Sequence, residues 1–438
     1  MLVDKKRTTQ VVRRQYEDLP YPPREPEHES ARLIRTYLDH LSLLNHYCFK
    51  GRQDFHGRFR ILVAGGGTGD AVMYLGEQLR ETDAEIVYVD LSESCMDIAK
   101  RRAAIRRLTN VTWLRGSLLD LPEMGLPPFD YINCVGVLHH LEEPEAGLKA
   151  LRAVLKDDGA MGLMVYARYG RAGVYQMQEL MRIVNRDEDD HQGKLDNAKA
   201  VLNALPETNW FKKAEHLTPD HREMGDAGIY DLLLHSTDKA YSVPELYDFL
   251  DTCRLHLATF MSPAKALYAP EVACKDQRML DILKRLSTKD QQAALELRCG
   301  TVIKHSFYAC PRPDTVAGLE DLDQVPFFHL LPNLGERLCQ ELREHPDLKH
   351  IAANFPRDVR LEIDVGKYTR VLLKHMDGKR PLKEIILLAG REHPASPSRD
   401  ALLAEFRPLY ERFNLGDLLL LRHVSSQPPP PLDPLGGT

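Results

Sequence analysis

From Arg60 onward, short apolar runs alternate with amphipathic stretches. Arg60-Ile-Leu-Val-Ala64 reads as a buried strand, Gly65-Gly-Gly-Thr-Gly-Asp70 as a turn, and the residues through Arg80 as a helix. Glu85-Ile-Val-Tyr-Val-Asp90 repeats the strand pattern, and Ser92 to Leu108 the helical one. Val111–Arg115, Phe129–Val135 and Met161–Tyr166 are further strands, with a helix over Pro144–Leu155. Such alternation predicts βαβ units and an α/β fold: a parallel sheet covered by helices on both faces.

The flanks read differently. Tyr16-Glu-Asp-Leu-Pro-Tyr-Pro-Pro-Arg24 predicts an extended strap, because proline fixes the backbone and restricts the residue before it. Leu33, Ile34, Tyr37, Leu38, Leu41 and Leu44 give Ala31–Phe49 helical spacing. After Arg171, a helix is expected over Val174–Val184, a solvated acidic loop at Asp187–Asp190, a helix over Tyr241–Phe249 opened by Ser242 and Pro244, and a strand over Thr301–Ala309. Near Val316 a new unit begins. Tyr368–His375, Leu382–Leu388 and Arg399–Phe413 predict helices and Leu418–Arg422 a strand, the order of a small winged-helix-like module. The division expected is a strap and helix (1–57), an α/β core (58–170), an insertion or a completion of the core on its substrate side (171–315), a smaller, mainly helical C-terminal domain, winged-helix-like or regulatory (316–424), and a Pro-rich disordered tail (425–438).

Composition narrows the class. The 438 residues are 43% hydrophobic and 28% charged, which fits a globular protein and excludes a fibrous one. The net charge of -6 disfavours nucleic acid as a partner. No run approaches the roughly 18 apolar residues of a membrane span, and the charged start lacks a secretory signal's apolar core. Eight scattered cysteines without a CxxC pair predict reduced thiols, a cytoplasmic setting and no zinc site.

The chemistry concentrates in the first turn. Glycines at 65, 67 and 69 let the chain turn sharply and bring amides to a ligand at a helix start. Asp90 ends the next strand 21 residues after Gly69, where a carboxylate holds a ribose diol. A dinucleotide fingerprint would place glycine at position 70; Asp70 there would repel a pyrophosphate but tolerates a ligand carrying an ammonium and a sulfonium. S-adenosylmethionine is such a ligand, and a nicotinamide oxidoreductase is disfavoured.

Residues 58–170 resemble the class I, Rossmann-like S-adenosylmethionine-dependent methyltransferase domain. Ile61-Leu-Val-Ala-Gly-Gly-Gly-Thr-Gly69 is similar to its first motif and Tyr88-Val-Asp-Leu-Ser92 to its second. Gly116-Ser-Leu-Leu-Asp-Leu-Pro122 is similar to the segment beside the adenine. Phe129-Asp-Tyr-Ile-Asn-Cys-Val-Gly-Val-Leu-His-His-Leu141 is similar to the fourth-strand motif, and Leu155-Lys-Asp-Asp-Gly-Ala-Met161 to the turn before the fifth strand. The resemblance implies cofactor contacts at Gly65, Gly66, Gly67, Thr68, Gly69, Asp70, Asp90, Leu91, Ser117, Leu118, Val135 and Gly136. It departs at Val63, where the family often carries an acid, and at Ser117, where an acid commonly meets the adenine amine. Asp70 or main-chain carbonyls are then the candidates for the methionine ammonium, with Asp120 a spare acid on the adenine side. The strap from Gln15 to Pro22 looks like the leader of some bacterial methyltransferases with regulatory or repeat domains, rickettsial-type protein lysine methyltransferases among them.

Methyl transfer needs donor and acceptor held about 3 Å apart in a water-excluding site, and a base only where the acceptor demands one. His139, His140, Tyr166 and Tyr169, at strand C-terminal ends, are the catalytic candidates. The plainer expectation is that one histidine packs while the other faces solvent. No third ligand accompanies the pair, so no metal is expected. Tyr16 and Tyr21 are candidates to close over the cofactor. The acceptor reads as a protein side chain or small molecule rather than RNA. The alternative is a catalytically silent sensor or scaffold that binds S-adenosylmethionine.

Overall fold

The computed structural model describes residues 12–355 and 359–430. Its centre is a seven-stranded sheet built from β1 (Arg60–Ala64), β2 (Glu85–Asp90), β3 (Val111–Arg115), β4 (Phe129–Val135), β5 (Leu155–Tyr166), β6 (His256–Phe260) and β7 (Lys304–Cys310). The order is β3-β2-β1-β4-β5-β7-β6. The first five strands run parallel, and β7 is antiparallel to both β5 and β6. Strand side chains alternate between faces, so Leu62 and Ala64 of β1 enter one buried cluster while Ile61 and Val63 enter the other. The sheet is a wall between two cores, as the continuous apolar runs require.

Helices cover both faces: α1 (12–18), α2 (Leu41–Cys48), α3 (Asp70–Gln78), α4 (Glu93–Arg106), α5 (Pro144–Ala153) and α6 (Ala172–Val184). Ser92 caps α4 by accepting the Cys95 amide. The order reverses between β1 and β4, and their C-terminal ends open the crevice where α/β sheets bind ligands.

Two expectations at the N-terminus are corrected. The strap is helical over 12–18 before it becomes extended. Ala31–Phe49 is not one helix: single turns at Pro26–Ser30 and Tyr37–Asp39 precede α2. The Leu38 carbonyl is the reason. It accepts Tyr131 Oη at 2.9 Å and Tyr308 Oη at 2.7 Å, so it is turned into the core rather than along a helix.

The segment after Arg171 adds α6, further short helices and the last two strands of the sheet. The C-terminal unit has its own apolar cluster from Ala317 to Leu421. In it β8 (Gln324–Phe328) pairs with β11 (Leu419–His423), and β9 (His350–Phe355) with β10 (Val359–Asp364). Besides the three expected helices it holds one at Leu334–Glu344. Leu420 packs into the cluster around α2 and β1, which seats this unit on the core. Within the expected disordered tail Ser426 is buried, its hydroxyl donating to Gly51 O at 2.7 Å; residues 431–438 lie outside the described residues.

Candidate active site

The glycine turn has the backbone its sequence requires. Gly65, Gly67 and Gly69 have φ of 71°, 51° and 98°, in the left-handed region that side chains disfavour. A Cβ on Gly67 would stand 2.8 Å from the Tyr21 carbonyl oxygen of the strap. Asp90 ends β2 facing this turn: Oδ2 accepts the Gly67 amide at 2.8 Å and Oδ1 the Ser92 amide at 2.9 Å. Burial pushes its pKa up, against the pull of those amides. Each carboxylate oxygen retains a further lone pair, which suits a diol. Across the crevice, Val135 at the end of β4 is 39% exposed, an unusual state for an apolar residue in a central strand, and Gly136 beside it has φ of 78°. An acceptor-rich carboxylate, a turn stripped of side chains and an open apolar wall fit an adenosyl ligand.

The remaining cofactor residues differ in role. Leu91 follows Asp90 half-buried, and Gly66 and Ser117 are also half-buried. Leu118 is buried, Thr68 is buried with its hydroxyl donated to Pro22 O at 2.7 Å, and Ser117 Oγ accepts its own Leu119 amide at 3.2 Å. Asp120 is exposed. Asp70 requires a correction. Its carboxylate accepts Arg24 Nη2 at 2.6 Å and Arg102 Nη1 at 2.8 Å, and Arg102 is buried. Burial raises its pKa, but Arg24 and Arg102 together hold it below the ordinary carboxylate range. With two guanidinium partners Asp70 is not free for a ligand ammonium; it fastens the strap and α4 to the start of α3.

The strap lies on this crevice. Glu17 accepts the Glu93 and Ser94 amides at 2.9 Å each, at the positive end of α4. Partial burial opposes its ionisation, yet these amides bring its pKa down to about 2. Ser92 Oγ donates to Tyr16 O at 3.1 Å.

Tyr16 points to a second group of polar residues at the ends of β4 and β5. Both expected histidines are buried, which corrects the reading that one faces solvent. His139 lies 3.9 Å, centroid to centroid, from the Tyr166 ring, and burial drives its pKa well below the ordinary value. His140 stacks on His235 at 3.7 Å. Asp231, buried in a wide π-helical turn at Tyr230–Leu234, accepts Tyr16 Oη at 3.1 Å and Tyr166 Oη at 3.3 Å. Such turns recur at functional sites. Arg171 lies over the Tyr166 ring at 3.5 Å and pairs with buried Asp238. Tyr169 is exposed and enters none of these contacts.

Sequence reasoning missed Asp231 and His235, which come from the segment after the α/β core, whereas Arg171 lies in the aromatic and polar cluster Ala167–Tyr175 that the sequence offers either for positioning substrate or for connecting domains. The signal present was a lone acid inside Tyr230-Asp-Leu-Leu-Leu234 followed directly by His235, since a carboxylate in an apolar run is buried at a cost.

The fold also brings one histidine of the pair, His140, to two other potential ligands. Nitrogens of His140 and His235 and an oxygen of Asp231 lie within 4.8 Å of one another. A metal would need a bare nitrogen on each ring. The Nδ1 of His235 already accepts the Thr237 amide at 3.1 Å, so its lone pair is used, and the group reads as proton-handling.

This geometry agrees with what the chain is similar to. Residues 62–161 match the family model described as a methyltransferase domain. An uncharacterized protein of Synechococcus is 31% identical over 245 residues, 56% of this chain and 58% of that protein. The mitochondrial ubiquinone biosynthesis O-methyltransferase of Schizosaccharomyces pombe is 28% identical over 170 residues, 37% of this chain and 58% of that enzyme. The chain thus spans 58% of the length of each of these relatives. In fold it is similar to PKMT2 from Rickettsia typhi, with TM-score 0.62 and 14% identity over 92% of this chain and 77% of that one; the same protein in complex with AdoHcy gives 0.60. The fold and the crevice define a Rossmann-like methyltransferase domain. Residues 62–161 are thus a methyltransferase domain, similar to those of the class I S-adenosylmethionine-dependent enzymes, and S-adenosylmethionine is the cofactor such a domain uses.

Proposed function

We propose that the protein transfers the methyl group of S-adenosylmethionine to an acceptor placed against His140, Tyr166 and Asp231, acting in the cytoplasm. The observation that carries this reading is that two unlike subsites share one sheet edge: a diol-binding acid with a glycine turn at β1–β2, and buried proton-handling groups at β4–β5. The strap spans both, through Glu17 on α4 and Tyr16 on Asp231.

The cofactor supplies a methyl group on a sulfonium, already activated for displacement. Asp90 and the amides of the turn would hold its ribose, with Val135 and Gly136 lining the same crevice. Tyr16 and Tyr166 orient Asp231, and the buried rings exclude water. His140 Nε2, with no hydrogen-bond partner among the described residues, is the base for an acceptor that loses a proton. The acceptor proposed is a protein side chain or a small molecule rather than RNA, which the acidic net charge of -6 disfavours. Among the described residues no helix is long and apolar enough to cross a membrane.

Radiolabelled methyl transfer from S-adenosylmethionine into fractionated lysate tests this reading, with Asp90→Ala as control. Label in a protein or small-molecule fraction that depends on Asp90 is expected. Tight cofactor binding with no label in any fraction would instead establish a silent sensor.

A further inference from the structure

The ring of His140 lies on that of His235, centroids 3.7 Å apart and planes 28° apart. Both are buried, and the backbone of Thr237 touches each of them. The Thr237 carbonyl oxygen is 2.8 Å from His140 Nδ1, and the Thr237 amide nitrogen is 3.1 Å from His235 Nδ1. A carbonyl only accepts and an amide N–H only donates. His140 therefore carries its proton on Nδ1 and is bare at Nε2. His235 is bare at Nδ1 and carries its proton on Nε2, which lies 3.5 Å from Tyr16 Oη.

We propose that Thr237 is a positioning residue whose backbone N–H and C=O set opposite tautomers on these two stacked imidazoles, making His140 the proton acceptor and His235 a fixed donor in the acceptor site. The division follows from what each ring can do next. A second proton on His140 enters at Nε2, with a ring nitrogen of His140 and an Asp231 oxygen within 4.8 Å of each other, while Nδ1–H stays on the Thr237 carbonyl. A second proton on His235 would enter at Nδ1, head-on to an amide N–H, and its burial disfavours charge as well. As the acceptor's nucleophilic atom forms its bond to the methyl carbon, the carbon–sulfur bond breaks with its electron pair left on sulfur, and the acceptor's proton passes to His140 Nε2. His235 holds its own proton toward Tyr16 and leaves Asp231 Oδ1 free to accept the Tyr16 hydroxyl. The assignment of His140 as base rests on the methyltransferase reading; the tautomers do not.

The test is nitrogen-15 NMR of the full chain labelled at histidine, with two-bond proton–nitrogen couplings identifying the protonated nitrogen of each ring. His140→Gln and His235→Gln assign the two signals by their loss. Expected are a bare Nε2 on His140 and a bare Nδ1 on His235. The same tautomer on both rings, or a doubly protonated His140 at neutral pH, overturns the proposal. Thr237→Ala keeps the backbone N–H and C=O and is expected to leave both tautomers unchanged, whereas a tautomer change in this variant overturns the role of the backbone. Should a glutamine variant fail to fold, through-space contacts of the His140 ring with Tyr166 and of the His235 ring with Tyr16 assign the two signals in the wild type, and the same outcomes decide. Label transfer separates the two readings: a loss of about a hundredfold in His140→Gln with cofactor binding intact supports the base assignment. Wild-type transfer in that variant refutes the base while leaving the methyltransferase reading in place.

Discussion

The hydroxyl of Tyr16 donates to Asp231 Oδ1 at 3.1 Å, joining residues 215 positions apart. Tyr16 belongs to the N-terminal strap, and Asp231 to the segment that follows the α/β core. The bond crosses from the glycine-turn crevice to the polar group at the ends of β4 and β5, and so ties the strap to both. Burial raises the pKa of both groups; the Asp231 carboxylate raises that of Tyr16 further, while the Tyr16 hydrogen bond pulls that of Asp231 back down.

Tyr16→Phe is expected to loosen the strap. Asp231 would lose one of its two tyrosine donors, at a cost of about 1–3 kcal/mol for a buried charged acceptor. Trypsin should cut faster after Arg13, Arg14 or Arg24, and S-adenosylhomocysteine should slow that cleavage less than in the wild type. Unchanged cleavage in both conditions would show that the tyrosine does not hold the strap.

Asp90→Ala should weaken S-adenosylmethionine binding by about 1–3 kcal/mol, since the ribose diol and the Gly67 amide both lose a partner. Calorimetry measures this directly, and an unaltered dissociation constant would move the ribose elsewhere.

Gly67→Val meets two obstacles, a φ of 51° and a strap carbonyl 2.8 Å from the new Cβ. Cofactor binding is expected to disappear while circular dichroism stays native, because the turn lies at the rim of the sheet rather than in its core. Native-strength binding by this variant would contradict the cradle.

Asp417→Asn should undo the seating of the C-terminal unit. Asp417 is 1% exposed and accepts Lys265 Nζ at 3.2 Å, Tyr37 Oη at 2.9 Å and the hydroxyl of Tyr47. Burial lowers the pKa of Lys265 while Asp417 opposes that shift. Removing the buried anion leaves the ammonium uncompensated, at about 3 kcal/mol. A thermal midpoint within a degree of wild type would show that the pair is not needed.

Acid should weaken the same seam. Burial holds His40 down to about 2, and His46 and His329 to about 3. Their folded pKa values lie below the unfolded value, so each lets the unfolded chain bind a proton that the folded chain does not. Stability is complete above pH 6.5 and falls toward pH 3, by about 1.4 kcal/mol per pH unit for each ring. Asp39, raised to about 6 by burial, works the other way between pH 6 and 4 and offsets one ring. Thermal melts from pH 7.5 to 5 should therefore show a net fall, shallower in His46→Gln; parallel curves for both proteins would exclude His46 as a contributor.

Most of the α/β core was legible because its information is local. The runs at 60–64, 85–90, 111–115 and 129–135 each carry the apolar continuity of a strand buried on both faces, and glycine at 65, 67 and 69 answers a backbone requirement of the turn itself. The helix expected over Ala31–Phe49 failed because core tyrosines captured the Leu38 carbonyl, a contact no local spacing encodes. Asp70 was assigned to the ligand for the same reason: Arg24 and Arg102 are distant in sequence, and only folding brings them to it.

The sequence by itself determined the sheet, the glycine turn and the acid that faces it, since those depend on side-chain periodicity and on conformations that few residues adopt. Tertiary structure alone decided the acceptor side. His140 gained Asp231, His235 and Thr237 from nearly a hundred residues downstream, because a buried carboxylate and buried imidazoles persist only where the fold brings them hydrogen-bond partners.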